Sequence, residues 1–206
     1  MAFCTMVFFS QLITVYLLGV MLFGLFPFSE KRRLWFRSYQ QRLFLFDFHH
    51  IPCVRFSVEG ITNEIFSPSI VISNHQSMLD AALFMALSPK AILVSNKKVS
   101  SNLIIKKIFK WNGFITLNDM NSIDDSLIKY YVANGYSLVI FPEGVRNAHS
   151  SIRRFHKGAF LLAEKYQLDI QPFIIHGLNM VLPRNSIQVF PGQITVKAYQ
   201  RIRNEA

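Results

Sequence analysis

The chain opens on an apolar run and then changes character. From Met1 to Ser29 there is no Lys, Arg, Asp or Glu, and from Met6 to Phe28 only Ser10, Gln11 and Thr14 are clear polar interruptions. As a helix that stretch extends roughly 34 Å at about 1.5 Å per residue, enough for a hydrocarbon core of about 30 Å. Gly24 and Pro27 are potential breaks, so a re-entrant or shallow hairpin competes with a full span. Glu30 then begins a basic stretch, with Lys31, Arg32, Arg33, Arg37 and Arg42 interleaved with Trp35, Phe36 and Tyr39. Cations after an apolar span read as a cytoplasmic flank, and aromatic rings suit the headgroup region. The run has neither a basic leader nor a small-residue cleavage site, which argues against a removable signal peptide.

Beyond about residue 55 the period alternates between that of strands and that of helices. Ser69–Ser73, Ala91–Ser95, Phe114–Leu117, Ser137–Phe141 and Ile170–Ile175 read as strands, the last interrupted by Pro172. Met78–Leu87, Leu103–Trp111, Asp124–Ala133 and Ala159–Tyr166 read as helices, with Ser122 as an N-cap and Gly135 as a C-terminal stop for the third. Val189–Phe190 and Ile194–Tyr199 flank a Pro191-Gly192 turn. The predicted fold class is therefore α/β, with a mostly buried mixed sheet flanked by helices. The predicted organisation is a membrane-embedded helix or hairpin over residues 1–30, a basic amphipathic juxtamembrane segment over 31–54, and one catalytic domain over 55–206.

Composition sharpens this partition. The chain has 206 residues, 51% of them hydrophobic, and a formal charge of +10. That much apolar content excludes a disordered chain, and two cysteines exclude a disulfide framework. Cys4 and Cys53 read as small hydrophobes in a reducing compartment. All of the charge falls after residue 29, as expected of a domain held against an anionic membrane face. The basic helix around Lys106, Lys107 and Lys110 reads either as a solvated face or as a contact with anionic lipid.

Two segments carry the candidate chemistry, and each follows an apolar strand. In Asn74-His75-Gln76-Ser77-Met78-Leu79-Asp80, a carboxylate five residues after a histidine can take one imidazole nitrogen and leave the other as a base. The helix N-terminus there offers free N–H groups. No Gly-x-Ser-x-Gly nucleophile elbow occurs, so the missing hydroxyl must come from a substrate. In Phe141-Pro142-Glu143-Gly144-Val145-Arg146-Asn147, Glu143, Gly144 and Arg146 can shape a polar headgroup site, with the Arg fork suited to phosphate. His49, His50, His149, His156 and His176 lack metal-ligand spacing and read as surface or loop residues.

Together these segments resemble the glycerolipid acyltransferase family, whose best-known members acylate lysophosphatidic acid. The family's first block is Asn-His-x-x-x-x-Asp and its third is Phe-Pro-Glu-Gly-Thr-Arg. Here they read NHQSMLD and FPEGVRN, with 143 − 75 = 68 positions from His75 to Glu143. Phe155-His156-Lys157-Gly158-Ala159-Phe160 resembles the family's Phe-Lys-x-Gly-Ala-Phe, and Asp169–Gly177 its fourth block. Lys97-Lys98 falls where members often carry a Lys pair. One block departs: Gly113–Asp119 lacks the Arg that in the family helps hold the acceptor's phosphate, with Asn118 and Asp119 there instead.

The resemblance implies a membrane-bound O-acyltransferase, on the cytoplasmic face of a bacterial inner membrane, that moves an acyl group from a thioester to a lysophospholipid hydroxyl. It implies His75 as general base oriented by Asp80, and Glu143, Gly144, Arg146 and Lys157 as the acceptor site. The expected partners are membrane lipid, a lyso-lipid, and acyl-CoA or acyl carrier protein as donor. Neither a metal nor a cofactor is expected, and nucleic acid is not a partner. The missing Arg keeps open a lyso-lipid without a phosphomonoester, and a lipid or thioester hydrolase is the other alternative.

Overall fold

The first helix, α1 (Ala2–Gly24), ends where Gly24 was expected to break it. In the computed structural model the described residues are 2–26, 28–60, 67–96, 103–117, 124–147, 151–184 and 186–205. Expectations for Pro27, Lys97, Lys98, Asn118, Asp119, Ser122 and His149 lie outside them. α1 returns into α2 (Glu30–His50), so the two form a helical hairpin. The chain continues through β1 (Val54–Glu59), β2 (Ile70–Ser73), α3 (Leu79–Leu87), β3 (Ala91–Asn96), α4 (Leu103–Asn112), β4 (Ile115–Leu117) and α5 (Asp125–Ala133). It closes with β5 (Ser137–Ile140), α6 (Gly158–Lys165), β6 (Ile170–His176), α7 (Leu178–Val181) and β7 (Gly192–Ala198).

The seven strands form one sheet in the order β1-β7-β6-β2-β5-β3-β4. All neighbours are parallel except β6 and β7. The expected mixed sheet in an α/β fold is thus present. Alternation along each strand divides the core. Val71, Leu93, Val139 and Phe173 face Leu83 and Phe84 of α3, while Ile70, Ile92 and Leu138 face Ile128 of α5 and Leu162 of α6. β2 is buried at all four positions, as a central strand covered on both faces must be.

Three local expectations are corrected. Pro172 does not interrupt β6. Tyr199 N–H donates to Pro172 O at 3.0 Å, and proline has no N–H to return. The Gln171 side chain donates to Tyr199 O at 2.7 Å in its place. Val189–Phe190 is not a strand: Phe190 N–H donates to Val181 O, and Val189 N–H to the Thr5 hydroxyl of α1. The third predicted helix is capped by Asp124, whose carboxylate accepts from Ser126 and Leu127 N–H at 3.0 and 3.3 Å.

The α1–α2 hairpin packs on the domain along its length. Cys4 Sγ donates to Pro52 O, Val15 is fully buried, and Phe23 meets Phe36 edge-on. At Gly19, α1 comes so close to α4 that a Cβ would lie 2.3 Å from the Trp111 ring. α2 packs its buried face, including Phe36, Phe44 and Phe48, on α3, β1 and α4.

Candidate active site

The parallel strands β2 and β5 are neighbours, so their C-terminal ends place the two motif segments side by side. Asn74 fixes the first. Its side-chain amide donates to Ile175 O at 2.9 Å, and its Oδ1 accepts from Ile175 N–H at 2.8 Å. This tethers the end of β2 to β6 across the sheet.

Asp80 lies in the first turn of α3 and is fully buried. Its Oδ2 accepts from His75 Nδ1 at 2.6 Å and from the Gln76 and Ser77 N–H groups at 2.6 and 3.0 Å. These backbone donors precede the helix proper and would otherwise be orphans. Burial pushes the Asp80 pKa up, while the His75 hydrogen bond, its charge and the two backbone N–H groups pull it down. With Asp80 as acceptor, the proton of neutral His75 sits on Nδ1 and Nε2 carries the free lone pair. One face of the imidazole stacks on Phe141, with centroids 4.4 Å apart and planes 16° apart.

The second segment grips His75 from below. Glu143 is buried, and its Oε1 accepts from His75 N–H at 2.9 Å while Oε2 accepts from Arg153 N–H at 3.1 Å. Asn147 N–H donates to His75 O at 2.7 Å. The peptide groups on both sides of His75 are therefore held by the loop after β5. Glu143, expected at the acceptor site, is turned inward as a brace. Arg146 is half-buried and its carbonyl accepts from Arg184 at 3.4 Å. Lys157 is exposed just before α6. Neither lines the cleft beside His75.

That cleft measures about 260 Å³ and is walled by Val94, Ile140, Pro142, Gly144, Ala159 and Leu162, among others. Its polar side chains are His75, Ser95 and His156. His156, expected as a surface or loop residue, is exposed on the loop before α6 and also borders the cleft. The arrangement can take a proton from a hydroxyl held in a mostly apolar cleft.

Fold and site define an α/β protein with a carboxylate-oriented imidazole at the C-terminal edge of its parallel strands. The chain belongs to the acyltransferase family, which matches it over residues 54–176, more than half of its length. It is 29% identical to a 1-acyl-sn-glycerol-3-phosphate acyltransferase of Cocos nucifera, over 66% of this chain and 46% of that protein. It is 25% identical to the human alpha 1-acyl-sn-glycerol-3-phosphate acyltransferase, over 80% of this chain and 60% of that protein. The chain spans less than half the length of the plant and algal relatives it matches. The crystal structure of the 1-acyl-sn-glycerophosphate acyltransferase from Thermotoga maritima shares the fold. The TM-score is 0.76 and the identity 19%, over 100% of this chain and 86% of that one.

Proposed function

We propose that this chain transfers an acyl group from a thioester to the free hydroxyl of a lyso-phospholipid, with His75 as general base. The observation that carries the reading is the 2.6 Å contact of His75 Nδ1 with buried Asp80, which leaves Nε2 toward the cleft. The acceptor hydroxyl attacks the thioester carbonyl as His75 Nε2 takes its proton. The tetrahedral intermediate collapses, expels the thiolate, and the imidazolium returns the proton to sulfur. Asp80 holds the ring in place and stabilises its charged form. The names of the relatives support a lysophosphatidic-acid-like acceptor; acyl-CoA and acyl carrier protein are both suitable donors. Gly144 supplies cleft wall, Arg146 and Lys157 the positive rim, and Glu143 the support beneath His75.

Membrane attachment belongs to the same reading. α1 has mean hydropathy 2.1 over Cys4–Gly24 and is mostly exposed. It nevertheless touches the domain from its first turn to its last. Such a helix lies along the domain, with Met6, Ile13, Leu17 and Met21 presented to lipid, more readily than it departs across a bilayer. The hairpin then holds the cleft at the membrane surface, on the cytoplasmic side.

The test uses the purified full chain, a thioester donor and a panel of lyso-lipids. His75→Ala and Asp80→Asn should each lower acceptor-dependent thiol release by about 10²–10⁴-fold, the usual worth of general-base help. Rates near wild type in both variants refute the assignment, and thiol release without acceptor points to a hydrolase.

A further inference from the structure

His156 is the second imidazole of the cleft, and no other charged or polar group in the mechanism depends on it. Its backbone is fixed, because its N–H donates to Pro142 O at 2.8 Å. Its ring lies over Gly144. A Cβ at residue 144 would stand 3.2 Å from His156 Cδ2 and 3.5 Å from Nε2. Gly144 also adopts φ +68°, a conformation that glycine tolerates best. The bare glycine is thus the seat of the imidazole. Among the described residues the ring makes no hydrogen bond and no ion pair. Its nitrogens are free for a ligand in the cleft it shares with His75.

Among the described residues the other side chains on that wall are apolar except Ser95 and His75, and His75 is committed to Asp80 through Nδ1. An anionic group entering the cleft therefore meets one imidazole able to donate to it without disturbing the base. Arg146 and Lys157 do not line the wall. In sequence, the stretch that resembles Phe-Lys-x-Gly-Ala-Phe carries His156 at the Lys position, and the second block lacks an Arg.

We infer that His156 is a specificity-determining residue that binds the phosphate of the lyso-acceptor beside His75. The inference rests on the acyl-transfer reading and names the group that recognises the acceptor. A phosphate could also belong to the donor, and the experiment separates the two. Steady-state kinetics on the full chain would compare lysophosphatidic acid with a lyso-acceptor of the same chain that lacks phosphate, each with donor varied. His156→Ala should raise KM for lysophosphatidic acid by about 10- to 100-fold, the worth of a lost hydrogen bond to a charged group, with kcat within about threefold. KM for the phosphate-free acceptor and for the donor should stay within about threefold of wild type. His156→Lys should restore most of the affinity, and His156→Gln should fall between Lys and Ala. Binding of radiolabelled lysophosphatidic acid without donor should show the same order, and it needs no turnover. Unchanged KM and binding in His156→Ala, equal losses on both acceptors, or a loss confined to the donor would each overturn the assignment. If wild-type protein binds lysophosphatidic acid in this His156-dependent way but shows no acceptor-dependent thiol release, it is the acyl-transfer reading that fails instead.

Discussion

Glu143 is buried and holds the backbone that carries His75, the proposed base. Its two oxygens accept from the backbone of His75 and of Arg153, so it joins the first motif segment to the loop that also carries His156. A glutamine there keeps one acceptor but turns an NH₂ group toward a buried N–H. An orphaned donor of this kind costs about 1–3 kcal/mol. Glu143→Gln should therefore lower the thermal midpoint and reduce kcat more than it raises the acceptor KM. Denaturation and steady-state kinetics on one preparation check both halves. A KM effect with unchanged kcat would instead place Glu143 against the acceptor. Asn74 works by the same logic one residue earlier, pairing both ways with the Ile175 backbone.

At the scale of elements, α2 carries an unusual load. Its buried face includes Arg37, Gln40 and Asp47 as well as three phenylalanines. Arg37 Nε donates to Asn112 O at 2.8 Å and its guanidinium sits over the Tyr136 ring at 5.0 Å; burial lowers its pKa. Asp47 lies among Phe44, Phe48, Leu79, Ala82 and Ile194, and neither oxygen has a hydrogen-bond partner among the described residues. Burial raises its pKa from 3.8 to about 6. The sign follows: the folded state favours the protonated carboxyl, so the stabilising contribution is present below the ordinary carboxylate range and is lost as pH rises through about 6. Asp47→Asn keeps the shape and removes the titration. Its thermal midpoint should gain on wild type as pH goes from about 4 to 7. A gap independent of pH would show that water reaches the carboxylate.

The whole molecule is organised by where its charge and its apolar surface lie. The chain carries +10, none of it in the first 29 residues. α4 stands beside α1 and exposes Lys106, Lys107 and Lys110, with Lys107 donating to the Tyr16 hydroxyl at 3.4 Å. Arg33 and Lys110 lie over the Phe28 ring at 5.4 and 6.0 Å. Apolar residues and cations thus share one face. The protein should bind vesicles containing anionic lipid more tightly than neutral ones. Replacing both Lys106 and Lys110 with Gln should weaken anionic binding by about tenfold or more, at about 1 kcal/mol per cation, and leave neutral binding nearly unchanged. Salt should erode the anionic preference, because exposed charges are screened within about 10 Å at 0.1 M. Flotation assays read all three outcomes, and equal losses on both vesicle types would move these lysines off the membrane face.

Period along the chain determined a great deal. Apolar runs bounded by turn residues located most of the sheet, the 3.6-residue repeat located α3 to α6, and two motifs marked His75, Asp80 and the Glu143 loop. These features are local, because burial of a strand or helix face is written in its own spacing. The tertiary structure decided what spacing does not encode. It placed β7 antiparallel to β6 and parallel to β1. It let Gln171 complete the ladder at Pro172, turned Glu143 inward, laid α1 against Trp111 at Gly19, and set His156 over Gly144. Each of those outcomes depends on which strands become neighbours and in what register. Only then does a carboxylate 68 positions from a histidine meet its backbone N–H.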